Sequence, residues 1–492
     1  MGRLLGVGPL GGKQVDEPSV SHVAPSSPNG LPEGSKGGPS ATRPEPGATA
    51  AALPGASPLL AGLDLVHIGF DDEGTTAPLP NQGVARLSVD PALQRIAQGI
   101  LAGRHLPEAA IVMVDPVTGR VLVYASHVES GGPRDLCARA IAPAASVFKV
   151  VTGTALVDTA DMGPETRECY AGGGEQRIVA GDLEENPRRD RWCITLSNAM
   201  GRSINPVFAR LALRRLKPKD LELTAQAYGF GQKVPFDVDV EPSALQIPGD
   251  RLEYARTAAG FFHTTLSPLQ AAAMSTTLAR GGEAIRLHVV REALDAQGKA
   301  IYTEPDKPSV RRVLKPETAQ AVVAMMEHTV TEGTAYRAFR DSSGRPFLRG
   351  IPVAGKTGTL SDHETGRLFT WFTGFAPSHA VAVEGDVKPV AIAVLVVNNP
   401  AWNVKANVVA REMLRAYFAQ QNLEHITAPG AALSGRRPRR RAALHALRAG
   451  NENSENQGRD RDRDRTRVAL ALGRSQPVLS ATASSRPRTS SR

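Results

Sequence analysis

The stretch Pro143-Ala-Ala-Ser146-Val-Phe-Lys149 decides how this chain is read. Downstream of it Val147, Phe148, Val150, Val151 and Leu156 are apolar, and no proline occurs before Pro164. A buried helix is expected there, with Pro143 marking its upstream boundary. Positions i and i+3 share a helix face, so the Lys149 amine would lie beside the Ser146 hydroxyl in the first turn. A serine hydroxyl is a weak nucleophile until a base takes its proton. A lysine can be that base once burial or a second cation lowers its pKa. Alone the tetrapeptide is a weak signal, because an N-capping serine followed by a solvated lysine looks the same.

Working outward, Leu87-Ser-Val-Asp-Pro91 leads into a helix with Leu93, Ile96, Ala97, Ile100 and Leu101 on one face. Ala109 to Val114 and Arg120 to Ala125 are apolar strands joined by Asp115-Pro-Val-Thr-Gly119, a hairpin. Residues 194 to 216 look helical but are interrupted at Ser203-Ile-Asn205-Pro206, with Asn205 expected to be extended ahead of the proline. Ser267-Pro268 opens an Ala-rich helix that Gly281-Gly282 ends. Pro316 to Glu332 is a further helix. Gly355-Lys-Thr-Gly-Thr359 follows Val353 in strand-like sequence. Phe369 to Phe375 and Val390 to Val397 read as buried strands, and Val404 to Phe418 as a closing helix. A hairpin, many helices, then three strands and a helix indicate α+β: one sheet covered by helices, with a helical insertion.

The chain has 492 residues, ample for a large core, and 41% hydrophobic residues, ordinary for a soluble protein. Its net charge of +9 is unevenly placed. Gly430 to Arg492 holds 15 Arg and 5 acidic residues, so the remainder is near neutral. The basic balance therefore reports a tail, not a nucleic-acid groove. Residues 1–84 are rich in Pro, Gly and Ala and read as a disordered arm, of which Leu59 to Phe70 is apolar enough to dock. Residues 423–492 read as a disordered Arg-rich tail, and 85–422 as the folded domain. No stretch reaches the roughly 18 uncharged apolar residues of a spanning helix, the longest candidate, Gly47 to Leu63, being interrupted by Pro54 and Pro58, and no signal peptide is readable. Cys137, Cys169 and Cys193 lack metal-site spacing, and no cofactor motif is seen. Cys169 and Cys193 flank a Gly-rich, charged loop. Either an oxidising compartment joins them, or all three are small buried thiols.

Three motifs now stand in order: Ser146-x-x-Lys149, Ser203-x-Asn205 and Lys356-Thr357-Gly358-Thr359. Their flanks include Asp115-Pro-Val-Thr-Gly119, Leu266-Ser-Pro-Leu-Gln270, Gly333-Thr-Ala335 and Trp371-Phe-Thr-Gly-Phe375. Over about residues 85 to 420 the chain resembles the transpeptidase domain of penicillin-binding proteins. The resemblance implies that family's β-lactamase-like fold, an antiparallel sheet covered by helices with an all-helical insertion. It also implies a D,D-transpeptidase acting on peptidoglycan stem peptides that end in D-Ala-D-Ala. Ser146 would be the nucleophile and Lys149 its base, while Ser203 passes a proton to the leaving amine beside Lys356. Asn205 would bind the substrate amide. Lys356, Thr357 and Thr359 would take the terminal carboxylate, and the N–H groups of Ser146 and Thr359 the oxyanion. Gly358 belongs to the same binding strand, and β-lactams should acylate Ser146. The implied setting is the periplasmic side of the cytoplasmic membrane, with a glycosyltransferase partner. The family's anchor would then come from an upstream segment or a partner. That oxidising setting favours the Cys169–Cys193 disulfide and leaves Cys137 free. The rivals on the same scaffold are a D,D-carboxypeptidase, a β-lactamase and a non-catalytic β-lactam-binding sensor. Ile204 stands where class A β-lactamases carry Asp, and no deacylating glutamate loop is evident, so the transpeptidase is preferred.

Overall fold

Apolar strands and amphipathic helices assemble here into three layers around a central antiparallel sheet. The computed structural model describes residues 52–427, apart from 173–177, 363, 380–386 and 400–401. The arm before residue 52 and the Arg-rich tail beyond 427 lie outside the described residues.

The sheet runs in the order Ala354–Ser361, Leu368–Ala376, Val390–Asn398, Glu108–Val114, Val121–Val128, antiparallel throughout. Both hairpin strands and all three C-terminal strands expected from sequence are therefore in one sheet. The continuous apolar run of Val390–Asn398 is explained by burial on both faces. Ala391, Ala393, Leu395 and Val397 enter one core with Ala110 and Val112; Ile392, Val394 and Val396 enter the other with Ile111 and Met113. The alternation follows from the two-residue period of a strand. On the second face lie the helices Pro91–Ala102 and Ala406–Thr427, through Leu93, Ala97, Leu101, Val409, Met413 and Leu414. The closing helix thus runs past Phe418 and past the expected tail boundary at 423.

The first face carries the helix Pro268–Ala279 and the helical block built around Lys149–Ala160. Ser267 caps the former by accepting from the Gln270 N–H at 3.1 Å, an interaction typically worth about 1 kcal/mol. Around Lys149–Ala160 pack Leu196–Arg202, Asn205–Arg215, Pro218–Ala227 and Pro316–Thr331. The helical insertion also contains a small hairpin, Arg167–Tyr170 with Trp192–Thr195, in which Cys169 and Cys193 stand opposite each other and form a disulfide. Cys137 is free and buried, and burial pushes its thiol well up.

The expected arm of residues 1–84 is corrected over its last third. Gly69–Asp71 and Gly74–Pro78 join Val84–Leu87, Val290–Leu294 and Ala300–Thr303 in a second five-stranded sheet. Leu60, Leu63, Leu65 and Ala77 are buried. Local composition argued for disorder; the two short strands pair with each other and with Val84–Leu87, but the other side of Val84–Leu87 is covered by Val290–Leu294, far along the chain, where a local reading does not look.

Candidate active site

Ser146 lies in a 3-10 turn, Ala145–Phe148, that continues directly into the helix Lys149–Ala160. The turn explains the i, i+3 contact: its side chains at those positions eclipse. The Lys149 amine nitrogen is 2.8 Å from Ser146 Oγ. Ser146 is half-buried and Lys149 fully buried. Ala145, just before Ser146, has a φ of 48°, a left-handed conformation costing about 1–3 kcal/mol that the surroundings must enforce.

Two distant segments enforce it. Gly260, at φ 90°, packs so tightly that a Cβ there would stand 2.2 Å from Ala145 O and 3.0 Å from Ser146 N. No other residue fits, on both conformational and steric grounds. From the central sheet, Trp371 Nε1 donates to Pro143 O at 2.9 Å. Gly358 lets its strand lie over the turn, with a would-be Cβ 3.3 Å from that of Ala145.

Lys149 also reaches Asn205 Oδ1 at 2.6 Å and Ala259 O at 2.5 Å. Both are carbonyl oxygens, so they can only accept. A neutral amine has two N–H groups and one lone pair. The two carbonyls take both N–H groups, and the lone pair is left for the Ser146 hydroxyl proton. Burial holds the Lys149 amine well below its ordinary value, and the charge of nearby Lys356 adds to the effect. Such an arrangement lets a neutral Lys149 accept the Ser146 proton.

A second serine–lysine pair faces the first. Lys356, fully buried in Ala354–Ser361, donates to Ser203 Oγ at 3.0 Å and to Thr357 O at 2.9 Å. Burial lowers its amine to about 7. Ser203 caps the helix Leu196–Arg202 in the left-handed region, φ 60°. The expected extended residue is not Asn205 but Ile204, at φ −73° and ψ 106°. Asn205 begins the next helix, and Pro206 fits the first turn because its missing N–H would lack a helical partner anyway. That one-residue shift turns Asn205 inward to Lys149.

Thr357 is half-buried, and its Oγ1 is 2.5 Å from Thr334 Oγ1. Thr359 is exposed on the same strand, at the sheet's edge, where outward backbone groups lack a neighbouring strand. All eight residues singled out from sequence thus lie in three places: the turn opening Lys149–Ala160, the junction of Leu196–Arg202 with Asn205–Arg215, and the strand Ala354–Ser361. Sequence reasoning missed Ala259 and Gly260, which act through the main chain and show no side-chain motif. It quoted Thr334 only as a flank. The loop between the cysteines is tied to the helix that Asn205 begins. Buried Arg210 makes a two-pronged pair with Asp190 at 2.8 and 3.0 Å, donates to Cys169 O at 2.9 Å and reaches Asp182 O. Asp190 is held below its ordinary value chiefly by that guanidinium. Among the described residues, no cluster of three His, Cys, Asp or Glu side chains offers a metal site. A cavity of about 350 Å³ opens beside the opposite edge strand, lined by Gln94, Tyr124, His127 and Glu129, away from these motifs.

Comparison with known proteins gives a consistent picture. The family model described as penicillin binding protein transpeptidase domain matches residues 109–413. The peptidoglycan D,D-transpeptidase PbpA of Mycolicibacterium smegmatis is 27% identical over 353 residues, spanning 64% of this chain and 68% of that protein. The D,D-transpeptidase domain of a peptidoglycan glycosyltransferase from Eggerthella lenta superposes with a TM-score of 0.55 at 22% identity, covering 69% of this chain and 84% of that one. Penicillin-binding protein A from M. tuberculosis, solved as an imipenem acyl-enzyme complex, does so at 0.54 and 22%, covering 68% and 80%. At those identities the structures speak for a shared fold.

Proposed function

We propose that this chain, which belongs to the penicillin-binding protein transpeptidase domain family, is a serine D,D-transpeptidase that forms an acyl-enzyme on Ser146 from stem peptides ending in D-Ala-D-Ala. The observation that carries the reading is the environment of Lys149: buried, beside a second lysine, held by two carbonyl oxygens and turned to Ser146 Oγ.

In this reading Ser146 Oγ attacks the carbonyl carbon of the penultimate D-alanine while its proton passes to Lys149. The N–H groups of Ser146 and Thr359 receive the developing oxyanion. Collapse breaks the C–N bond to the terminal D-alanine, whose amine takes a proton relayed through Ser203. Asn205 binds the substrate amide, and Lys356, Thr357 and Thr359 take the terminal carboxylate, with Gly358 letting their strand approach the turn. An acceptor amine then attacks the ester, forms the cross-link and returns a proton to Ser146. A β-lactam presents a strained amide beside a carboxylate and acylates the same serine.

Ile204 between Ser203 and Asn205, where class A β-lactamases carry Asp, favours this over a β-lactamase. The substrate places the enzyme on the outer side of the cytoplasmic membrane, a setting that the Cys169–Cys193 disulfide supports. Among the described residues no helix is long and apolar enough to cross a membrane. Glycan strands must be polymerised before they are cross-linked, so a glycosyltransferase is the expected partner.

Labelling with a fluorescent penicillin and mass mapping of the adduct test the reading. One stable adduct on Ser146, absent from Ser146→Ala, is expected. An adduct elsewhere, or labelling that survives the substitution, overturns the assignment.

A further inference from the structure

Thr334 stands in the turn that follows Pro316–Thr331 and touches both the helix that Ser203 caps and the strand that carries Thr357. Its N–H donates to Gly201 O at 2.9 Å, in the last turn of the helix that Ser203 caps. Its Oγ1 lies 3.3 Å from the same oxygen and 2.5 Å from Thr357 Oγ1. The placement is rigid. A Cβ on neighbouring Gly333 would stand 2.1 Å from Gly201 O, so the turn is pressed against the helix. Asn407 Nδ2 closes it from the other side by donating to Thr334 O at 3.5 Å.

We infer that Thr334 is a positioning residue that turns the Thr357 hydroxyl towards the substrate's terminal carboxylate. The inference rests on the transpeptidase reading above and adds a residue to it. Each hydroxyl carries one proton. If Thr357 gives its proton to Thr334, it has none for the substrate, and Thr334 donates to Gly201 O. If Thr334 donates to Thr357, the Thr357 proton is turned outward. A carboxylate only accepts, so its arrival selects the second arrangement. The result is a chain from Thr334 through Thr357 to the carboxylate, in which each bond polarises the next. With the chain empty, the Gly201 carbonyl keeps the Thr334 proton satisfied.

The test compares benzylpenicillin with its methyl ester, which keeps the strained amide but lacks the charged acceptor. Second-order acylation constants are measured for wild type, Thr334→Val and Thr334→Ser. Thr334→Val is expected to slow benzylpenicillin about 10-fold, the effect of one hydrogen bond to a charged group, and to change the ester by less than about 2-fold. Thr334→Ser keeps the hydroxyl and should behave as wild type. Equal losses on both ligands would mark a merely structural role, including a misfolded variant, and overturn the inference. So would a Thr334→Ser variant as impaired as Thr334→Val, or a Thr334→Val variant as fast as an acylated wild type. A wild type that neither ligand acylates would instead overturn the transpeptidase reading, and this inference with it.

Discussion

Raising the pH through neutrality should disable carboxylate recognition while leaving the nucleophile and its base in working form. Lys356 is the cation proposed to meet the terminal carboxylate, and burial lowers its amine from 10.5 to about 7. That displacement corresponds to about 5 kcal/mol against the charged form. The amine is charged below its pKa, so at pH 6 about nine-tenths of the molecules carry the cation and at pH 8 about one-tenth do. If acylation needs that charge, the second-order constant for benzylpenicillin falls about 10-fold between these values; this constant reports the free enzyme's ionisations. Burial and the charge of Lys356 also hold Lys149 well below its ordinary value, and rising pH can only favour its neutral, basic form, so a fall in rate is not its doing. Stopped-flow acylation from pH 5.5 upward, with Lys356→Arg beside the wild type, measures it. Arginine stays charged throughout, so whatever rate it retains should lack the limb near 7. A wild-type limb above about pH 9, near an ordinary lysine, would refute the reasoning. Stability carries the matching sign. Between about 7 and about 10 the unfolded chain holds the proton that the folded Lys356 has lost, so stability should rise with pH in this window. Urea denaturation should find that component missing from Lys356→Met.

Two further outcomes follow from the geometry. Lys149→Ala should slow acylation by about 100- to 10,000-fold, and Lys149→Arg should not restore it, because a guanidinium cannot give up its proton; substantial acylation of the arginine variant, read by gel fluorescence, counts against Lys149 as base. Thiol counting in denaturant without reductant should find one reactive cysteine, Cys137, and Cys193→Ser should lose roughly 3 kcal/mol of stability; three free thiols in protein from its native compartment would remove the disulfide.

The parts of the site legible in the sequence are those whose chemistry sits in side chains at fixed spacing. Ser146 and Lys149 meet because a helical turn brings i and i+3 together, and that much is local. Ser203 and Lys356 could be named from their motifs, but their 3.0 Å contact joins elements far apart in sequence and is a product of packing. Ala259 and Gly260 left no trace, because any residue has a carbonyl and a glycine announces only freedom. The displaced break at Ile204 shows a local rule overridden: Asn205 enters the helix, against the preference set by Pro206, because there its side chain reaches Lys149. The central sheet was legible from runs such as Val390 to Val397. The second sheet was not, since Gly69–Asp71 and Gly74–Pro78 are short and glycine-bearing, and the sheet they begin is completed only by Val290–Leu294, far along the chain.

The strand order has a consequence for when the enzyme can first work. Glu108–Val114 lies between Val121–Val128 and Val390–Asn398, so an early hairpin waits for nearly the last strand of the domain before its sheet is complete. During synthesis the Ser146 turn appears long before Ala259, Gly260 and Trp371, the groups that shape it. A ribosome-bound chain ending before Ala259 would hold Ser146 and Lys149 without any of these groups, and one ending before Leu368 would still lack Trp371. Reactivity is thereby withheld from incomplete chains, and acylation by penicillin becomes a test of whether the two ends of the domain have found each other.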